Sequence, residues 1–265
     1  MLQQGEIEAM VDLLEEAATS RKPLRPLTAL RPGLALGDAY AIQEGWAARH
    51  VARGRRRAGY KLGLTTPAAQ RALGADRPIY GVLFTDMAIP EGGALPLDRL
   101  IAPRIEPELA FVMRAPLEGE CSAAQALDAI GFALPAVEII DNRIAAQDSE
   151  TGTARSALDI VADAGGTSGF VLSSRRFDPR EAALAEIRVT LEAAGKSESG
   201  SFADVFGSPE NALVELARGL AARGGAIAEG DIVLTGSPLR PAPLVPGERI
   251  TADFGILGTV ELTIS

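Results

Sequence analysis

The chain is poor in the residues that build redox centres and transition-metal sites. Among 265 residues there is one cysteine, Cys121, and one histidine, His50. A single cysteine excludes an internal disulfide framework and a cysteine-rich zinc site. A single histidine excludes a multi-histidine metal centre and most histidine relays. No run of 18 apolar residues occurs, so no segment reads as a membrane-spanning helix. Positive charge is also short: 26 Lys+Arg stand against 35 Asp+Glu, a net charge of -9 at pH 7. That balance disfavours nucleic acid or an anionic membrane as principal partner, because both attract basic surfaces. Oxygen chemistry remains. A metal would be held by oxygen ligands, and protons would be carried by Lys, Asp, Glu or Tyr.

The composition is that of an ordinary globular protein, 47% hydrophobic and 23% charged. The length allows one large domain or two small ones and a core that needs no staples. Met1 to Ser20 carries Glu6, Glu8, Asp12, Glu15 and Glu16, unlike a secretory leader. Ile7, Met10, Val11 and Leu14 recur at helical spacing, which predicts an amphipathic helix. The expectation is a protein of a reducing, soluble compartment, the cytoplasm.

Residues 1–58 read as an N-terminal helical region and 59–265 as a β-rich catalytic core, together one structural domain. Asp38 is placed as N-cap of a helix running through Tyr40, Ile42, Trp46 and Val51. The basic run Arg53 to Arg57 (Gly54 excepted) fits a solvated helix C-terminus, where cations are favoured. Tyr60 to Leu64 alternates as a strand does, and Pro67 opens a short helix to Leu73. Short apolar segments follow, divided by Gly and Pro: Ile79–Phe84, Ile105–Met113, Ala133–Ile140, Gly169–Leu172, Ile187–Leu191, Ile232–Thr235, Arg249–Phe254 and Thr259–Ile264. Helices are expected near Ser122–Ile130 and Pro209–Arg223. Many short strands with few helices predict an α+β fold, not a regular βαβ alternation. Asn142 to Arg155 is polar and without pattern, a surface loop or a mobile lid.

The stretch Arg104-Ile105-Glu106-Pro107-Glu108-Leu109-Ala110-Phe111-Val112-Met113 carries the strongest chemical signal. Residues two apart on a strand share a face, so Glu106 and Glu108 point the same way, their Cα atoms roughly 6–7 Å apart. Two like charges beside a buried region are costly unless something positive lies between them. Spacing alone leaves two readings open: a solvated strand end, or a pair of ligands for a divalent cation. Glu138, inside the apolar run Leu134 to Ile140, is a third such carboxylate. Three together would form an all-oxygen site with open positions, the ligand type for Mg2+ or Mn2+. Lys61, mid-strand in Gly59-Tyr60-Lys61-Leu62-Gly63, is either a lysine of lowered pKa able to move protons or one that snorkels to the surface.

These residues, with Asp76 to Gly81, Asp159 to Asp163 and Gly230 to Ser237, resemble the 2-keto-4-pentenoate hydratases. That family lies beside the 4-oxalocrotonate decarboxylases in the fumarylacetoacetate hydrolase superfamily. The likeness runs from about Asp38 to Ile264. It implies a mixed β-sandwich roll with helices packed outside, and Glu106, Glu108 and Glu138 as metal ligands. It further implies Lys61 and Asp76 as proton carriers, and Thr235 with Gly236 lining the substrate pocket. The substrate implied is a small 2-hydroxy-dienoic or 2-oxo acid, hydrated in aromatic catabolism by an Mg2+-dependent (or Mn2+-dependent) homo-oligomer, commonly a pentamer or decamer. A decarboxylase or acylpyruvate hydrolase of the same superfamily, and a non-catalytic partner subunit, are the competing readings. The chain departs from the family pattern at Ile79, where a second aspartate is frequent, and at Ala164, where asparagine is frequent. Its stretch from Arg143 to Asp159 is longer and lacks tryptophan. Asp159, Asp163, Cys121 and the Gly165-Gly166 pair are assigned no role in the chemistry, and His50 is read as an ordinary helix residue.

Overall fold

A computed structural model describes all 265 residues. In chain order the elements are α1 (Gln4–Ser20), α2 (Leu27–Leu30), α3 (Leu36–Ala52), β1 (Arg57–Gly63), α4 (Pro67–Leu73), β2 (Ile79–Phe84), β3 (Ala88–Ile89), β4 (Ala94–Leu95) and β5 (Arg104–Met113). There follow α5 (Ala123–Ala129), β6 (Ile130–Ile140), α6 (Ala157–Ala162), β7 (Thr167–Leu172), β8 (Arg188–Ala193), β9 (Lys196–Ser201), α7 (Asn211–Ala221), β10 (Ile232–Leu234), β11 (Ala242–Pro243), β12 (Arg249–Asp253) and β13 (Thr259–Ile264). The architecture is α+β, with N-terminal helices around two curled sheets.

The larger sheet has the order β2-β1-β10-β5-β6-β7-β3, with β11 pairing the start of β5. The smaller runs β4-β13-β12-β8-β9. The strands β2 and β5 are buried along most of their length, so they are covered on both sides. The larger sheet curls until β2 and β7 touch, and β13 packs on β6 and β7. One continuous core joins the layers and takes in Val11 and Leu14 of α1 and Ile42 and Trp46 of α3. The edge strand β9 reads Lys-Ser-Glu-Ser-Gly-Ser and is largely exposed. It forms because β8 offers six paired positions, not because its side chains seek burial.

Two expectations need correction. Asp38 is not the N-cap of α3 but its third residue. Its carboxylate accepts hydrogen bonds from the backbone N–H of Ala35 (3.1 Å) and Leu2 (2.7 Å), so it tethers the chain start to α3. The segment 142–155 is not a mobile lid. Leu24 and Ile144 bridge as a short parallel pair. Buried Arg143 forms an ion pair with buried Asp163 and stacks over Trp46 at 4.5 Å. Arg25 Nε lies 2.7 Å from Asp148, whose carboxyl is held below the usual range by Arg25 and Thr151. Composition did not reveal these anchors, because each partner lies far away in sequence.

Candidate metal and active site

The antiparallel register of β5 and β6 sets Glu106 directly opposite Glu138, with Glu108 two residues further along β5. Opposed residues of an antiparallel pair share a face, so all three carboxylates project from one side of the sheet. One oxygen from each lies within 4.8 Å of the others. Glu108 and Glu138 are buried and Glu106 is half-buried, so the cluster opens toward the Glu106 end.

Lys61 enters from β1, which pairs β10 on one side and β2 on the other. Its side chain is 4% exposed, and Nζ donates to Glu138 Oε2 at 3.2 Å. Glu138 Oε1 is 3.1 Å from the same ammonium, yet it is out of line for a hydrogen bond and has no partner. Glu108 Oε2 accepts from the backbone N–H of Gly236 at 2.7 Å. Gly236 holds φ +97, and a Cβ there would come within 2.3 Å of Thr65 Cγ2, so glycine is what lets this N–H reach the carboxylate.

The electrostatics follow from crowding. Burial and repulsion from Glu138 push Glu106 up to about 7. Burial, Glu138 and Glu106 raise Glu108 well above the usual carboxyl range. Burial also raises Glu138, against the attraction of Lys61. Burial pulls Lys61 down, but Glu138, Glu106 and Glu108 outweigh it and keep the ammonium protonated. The lowered pKa that an apolar setting suggested is thereby reversed. One ammonium faces three carboxylates, so two negative charges remain uncompensated when all are ionised. Three convergent carboxylates and an orphaned buried Glu138 Oε1 fit a hard divalent cation of the Mg2+ or Mn2+ kind.

Other residues named from the sequence sit elsewhere. Asp76 lies in the turn between α4 and β2, 81% exposed and 3.3 Å from Arg77, outside the carboxylate cluster. Thr235 is fully buried, and its hydroxyl donates to the Leu109 carbonyl at 3.0 Å, so it braces β5 instead of offering a free hydroxyl. Asp159 accepts from Thr28 and Ser156, and Asp163 holds Arg143. His50 on α3 contacts Glu15 of α1 at 2.8 Å. Sequence reasoning passed over Gly165. A Cβ at this residue (φ +71) would fall 2.5 Å from Lys61 Cε, so the glycine leaves the lysine its channel. The Gly165-Gly166 pair was the available signal.

The chain is similar to several known proteins. The family model for the fumarylacetoacetate hydrolase C-terminal region matches residues 50–265. A 2-oxo-hept-4-ene-1,7-dioate hydratase from Escherichia coli is 35% identical over 249 residues, 93% of this chain and 93% of its own. A TodF product hydratase from Pseudomonas putida is 36% identical over 262 residues, 97% of this chain and 94% of its own. A solved 4-oxalocrotonate decarboxylase from Pseudomonas putida G7, complexed with magnesium and adipate, superposes with a TM-score of 0.93 at 31% identity. It covers 100% of this chain and 99% of that one.

Proposed function

Because the chain belongs to the fumarylacetoacetate hydrolase family, we propose that it is a metal-dependent hydro-lyase. It adds water to a 2-hydroxy-2,4-dienoate, through its 2-oxo-enoate tautomer, and yields a 4-hydroxy-2-oxo acid. The observation that carries this reading is the convergence of Glu106, Glu108 and Glu138 beside a buried Lys61 ammonium. Glu106, Glu108 and Glu138 would hold the cation. When bound, it would supply Lewis-acid stabilisation of negative charge on the C2 oxygen of the substrate.

The chain's own groups have separate tasks. Gly236 N–H fixes one oxygen of Glu108, and Glu138 fixes the position of Lys61 Nζ. Lys61 Nζ donates a proton to C5 in ketonisation and regains one from the C2 hydroxyl; as water adds at C4 it donates to C3 and regains the proton that the water releases. General acid–base help of this kind is worth roughly 10²–10⁴-fold. Burial of Glu108, Glu138 and Lys61 excludes bulk water from the deep end and leaves access on the Glu106 side. Asp76 enters the proposal as a second proton carrier only if the turn before β2 moves inward.

Decarboxylation of a 4-oxalocrotonate-type acid is the second reading. It is favoured by the exposed position of Asp76, since loss of carbon dioxide needs only one proton returned, and by the likeness to the decarboxylase. Ultraviolet assays on a 2-hydroxy-dienoate and on 4-oxalocrotonate, each with and without Mg2+, test the proposal. Metal-dependent loss of the dienoate without release of carbon dioxide supports hydration. Carbon dioxide release supports the second reading, and metal-independent or absent turnover of both substrates contradicts the proposal. The proposal also places the enzyme in the cytoplasm as a homo-oligomer. An acidic chain with one free cysteine is compatible with that setting, and light scattering of the purified protein tests the assembly.

A further inference from the structure

A second cavity lies behind the sheet face that carries Lys61. In the pairing of β1 with β2, Lys61 stands opposite Gly81 and Leu62 opposite Tyr80. Strand alternation therefore turns Leu62 and Tyr80 away from the glutamate cluster. On that outer face α3, α7 and the turn before β2 enclose a cavity of about 400 Å³. Small-ligand sites span roughly 300–1,000 Å³. Leu36, Leu62 and Leu216 supply apolar wall, and Tyr40, Tyr80 and Arg223 stand across from them.

The tyrosines and the arginine form a stack. Tyr40 packs on Tyr80 with ring centroids 4.5 Å apart, and the Arg223 guanidinium lies over the Tyr40 ring, 4.0 Å from its centroid. The Tyr40 hydroxyl accepts from the Tyr80 backbone N–H at 3.4 Å, which holds the ring in place beneath the arginine. Arg223 is thus oriented but not neutralised. The other cations of the wall are answered: Arg77 contacts Asp76 at 3.3 Å, and Arg218 pairs with Glu215. Arg223 forms no ion pair, and Glu44, whose charge also acts on Tyr40, does not reach it. One positive charge of the cavity wall is left uncompensated.

A guanidinium laid flat on an aromatic ring keeps its N–H edge free, and that planar edge matches a carboxylate. The leucine walls disfavour a fully hydrated inorganic anion, whose water shell they cannot replace. We propose that this cavity is a second ligand site, separate from the glutamate cluster, for a small organic monocarboxylate with an apolar body. Its carboxylate meets Arg223 and its body lies among Leu36, Leu62 and Leu216. No buried lysine or carboxylate triad faces this cavity, so the occupant binds without reacting.

The test is calorimetric titration of the full chain with benzoate and with benzamide, which share a shape and differ in charge. EDTA is present throughout, so that no cation at the glutamates can draw the carboxylate there. Wild type should bind one equivalent of benzoate, at least about tenfold more tightly than benzamide, the scale of one charge-assisted contact. Arg223→Met should bring that ratio toward one, and Arg223→Lys should restore part of it. Ala222→Trp, at the exposed rim of the cavity, should block both ligands. Neither Arg223 nor Ala222 is buried, so these variants leave the core untouched. Absence of saturable benzoate binding, a wild-type ratio near one, a ratio unchanged in Arg223→Met, or undiminished binding in Ala222→Trp would each overturn the proposal.

Discussion

Replacing Glu108 by glutamine separates the charge of this residue from its shape. The carboxylate accepts from Gly236 N–H at 2.7 Å, and a glutamine carbonyl can keep that bond. Volume is conserved, so no cavity forms. What is lost is one negative charge from a cluster whose ligand atoms lie within 4.8 Å. Removing one partner from a buried charge contact costs about 3–5 kcal/mol. At about 1.4 kcal/mol per decade, the Kd for Mg2+ should weaken by roughly two to nearly four orders of magnitude. The metal-free protein should respond in the opposite sense. Glu108 is crowded by Glu138 and Glu106, which together with burial raise its pKa. Glutamine removes that repulsion, so at pH 8 in EDTA the variant should melt no lower than wild type. Each kcal/mol of relief is worth about 2–4 °C in a domain of this size. Calorimetric metal titration and thermal melting on the same preparation give both readings. A Kd within threefold of wild type, or a metal-free Tm several degrees lower, would refute the reasoning.

Four further outcomes are expected. A carboxyl group whose folded pKa is raised stabilises the fold below its unfolded value, the ordinary 4.5, and loses that contribution as pH rises through the folded value, about 7 for Glu106. Metal-free Tm should therefore fall between pH 5 and 8, and the Tm gain on adding Mg2+ should widen over the same interval; a gain constant with pH speaks against ionisation of these groups. Lys61→Met should bind Mg2+ at least as tightly as wild type and lose roughly 10²–10⁴-fold in kcat, which steady-state kinetics beside a metal titration would check. Gly165→Ala places a Cβ 2.5 Å from Lys61 Cε, so kcat should fall while metal affinity holds. Asp163→Asn leaves buried Arg143 without its charge partner, a loss of about 3–5 kcal/mol that should lower Tm by roughly 6–20 °C with little change in metal affinity.

Local features were readable where a period of two and Gly or Pro punctuation agreed. Ile79–Phe84 and Thr259–Ile264 are strands with the limits read from sequence, and Pro67–Leu73 is a helix. The shared face of Glu106 and Glu108 follows from alternation alone. The pairing of Glu106 with Glu138 does not, because it depends on the register of two long strands joined through α5. The lysine shows the same limit: its apolar neighbours suggested a depressed pKa, and three distant carboxylates reversed the sign. Residues 142–155 looked free because Arg25 and Asp163, which hold them, lie far off in sequence. The strand β9 was missed because its first four residues are exposed on both faces and so carry no apolar pattern, and α6 because it is only six residues long.

The central claim is that Glu106, Glu108 and Glu138 together hold one divalent cation that also takes a 2-oxo acid. A crystal soaked with Mn2+ and 2-oxoadipate, with anomalous scattering recorded at the manganese edge, tests it directly. One anomalous peak with an oxygen from each of the three glutamates at about 2.0–2.2 Å, and the oxo acid filling neighbouring positions, is the expected result. A peak elsewhere, or an oxo acid bound away from these carboxylates, would contradict it.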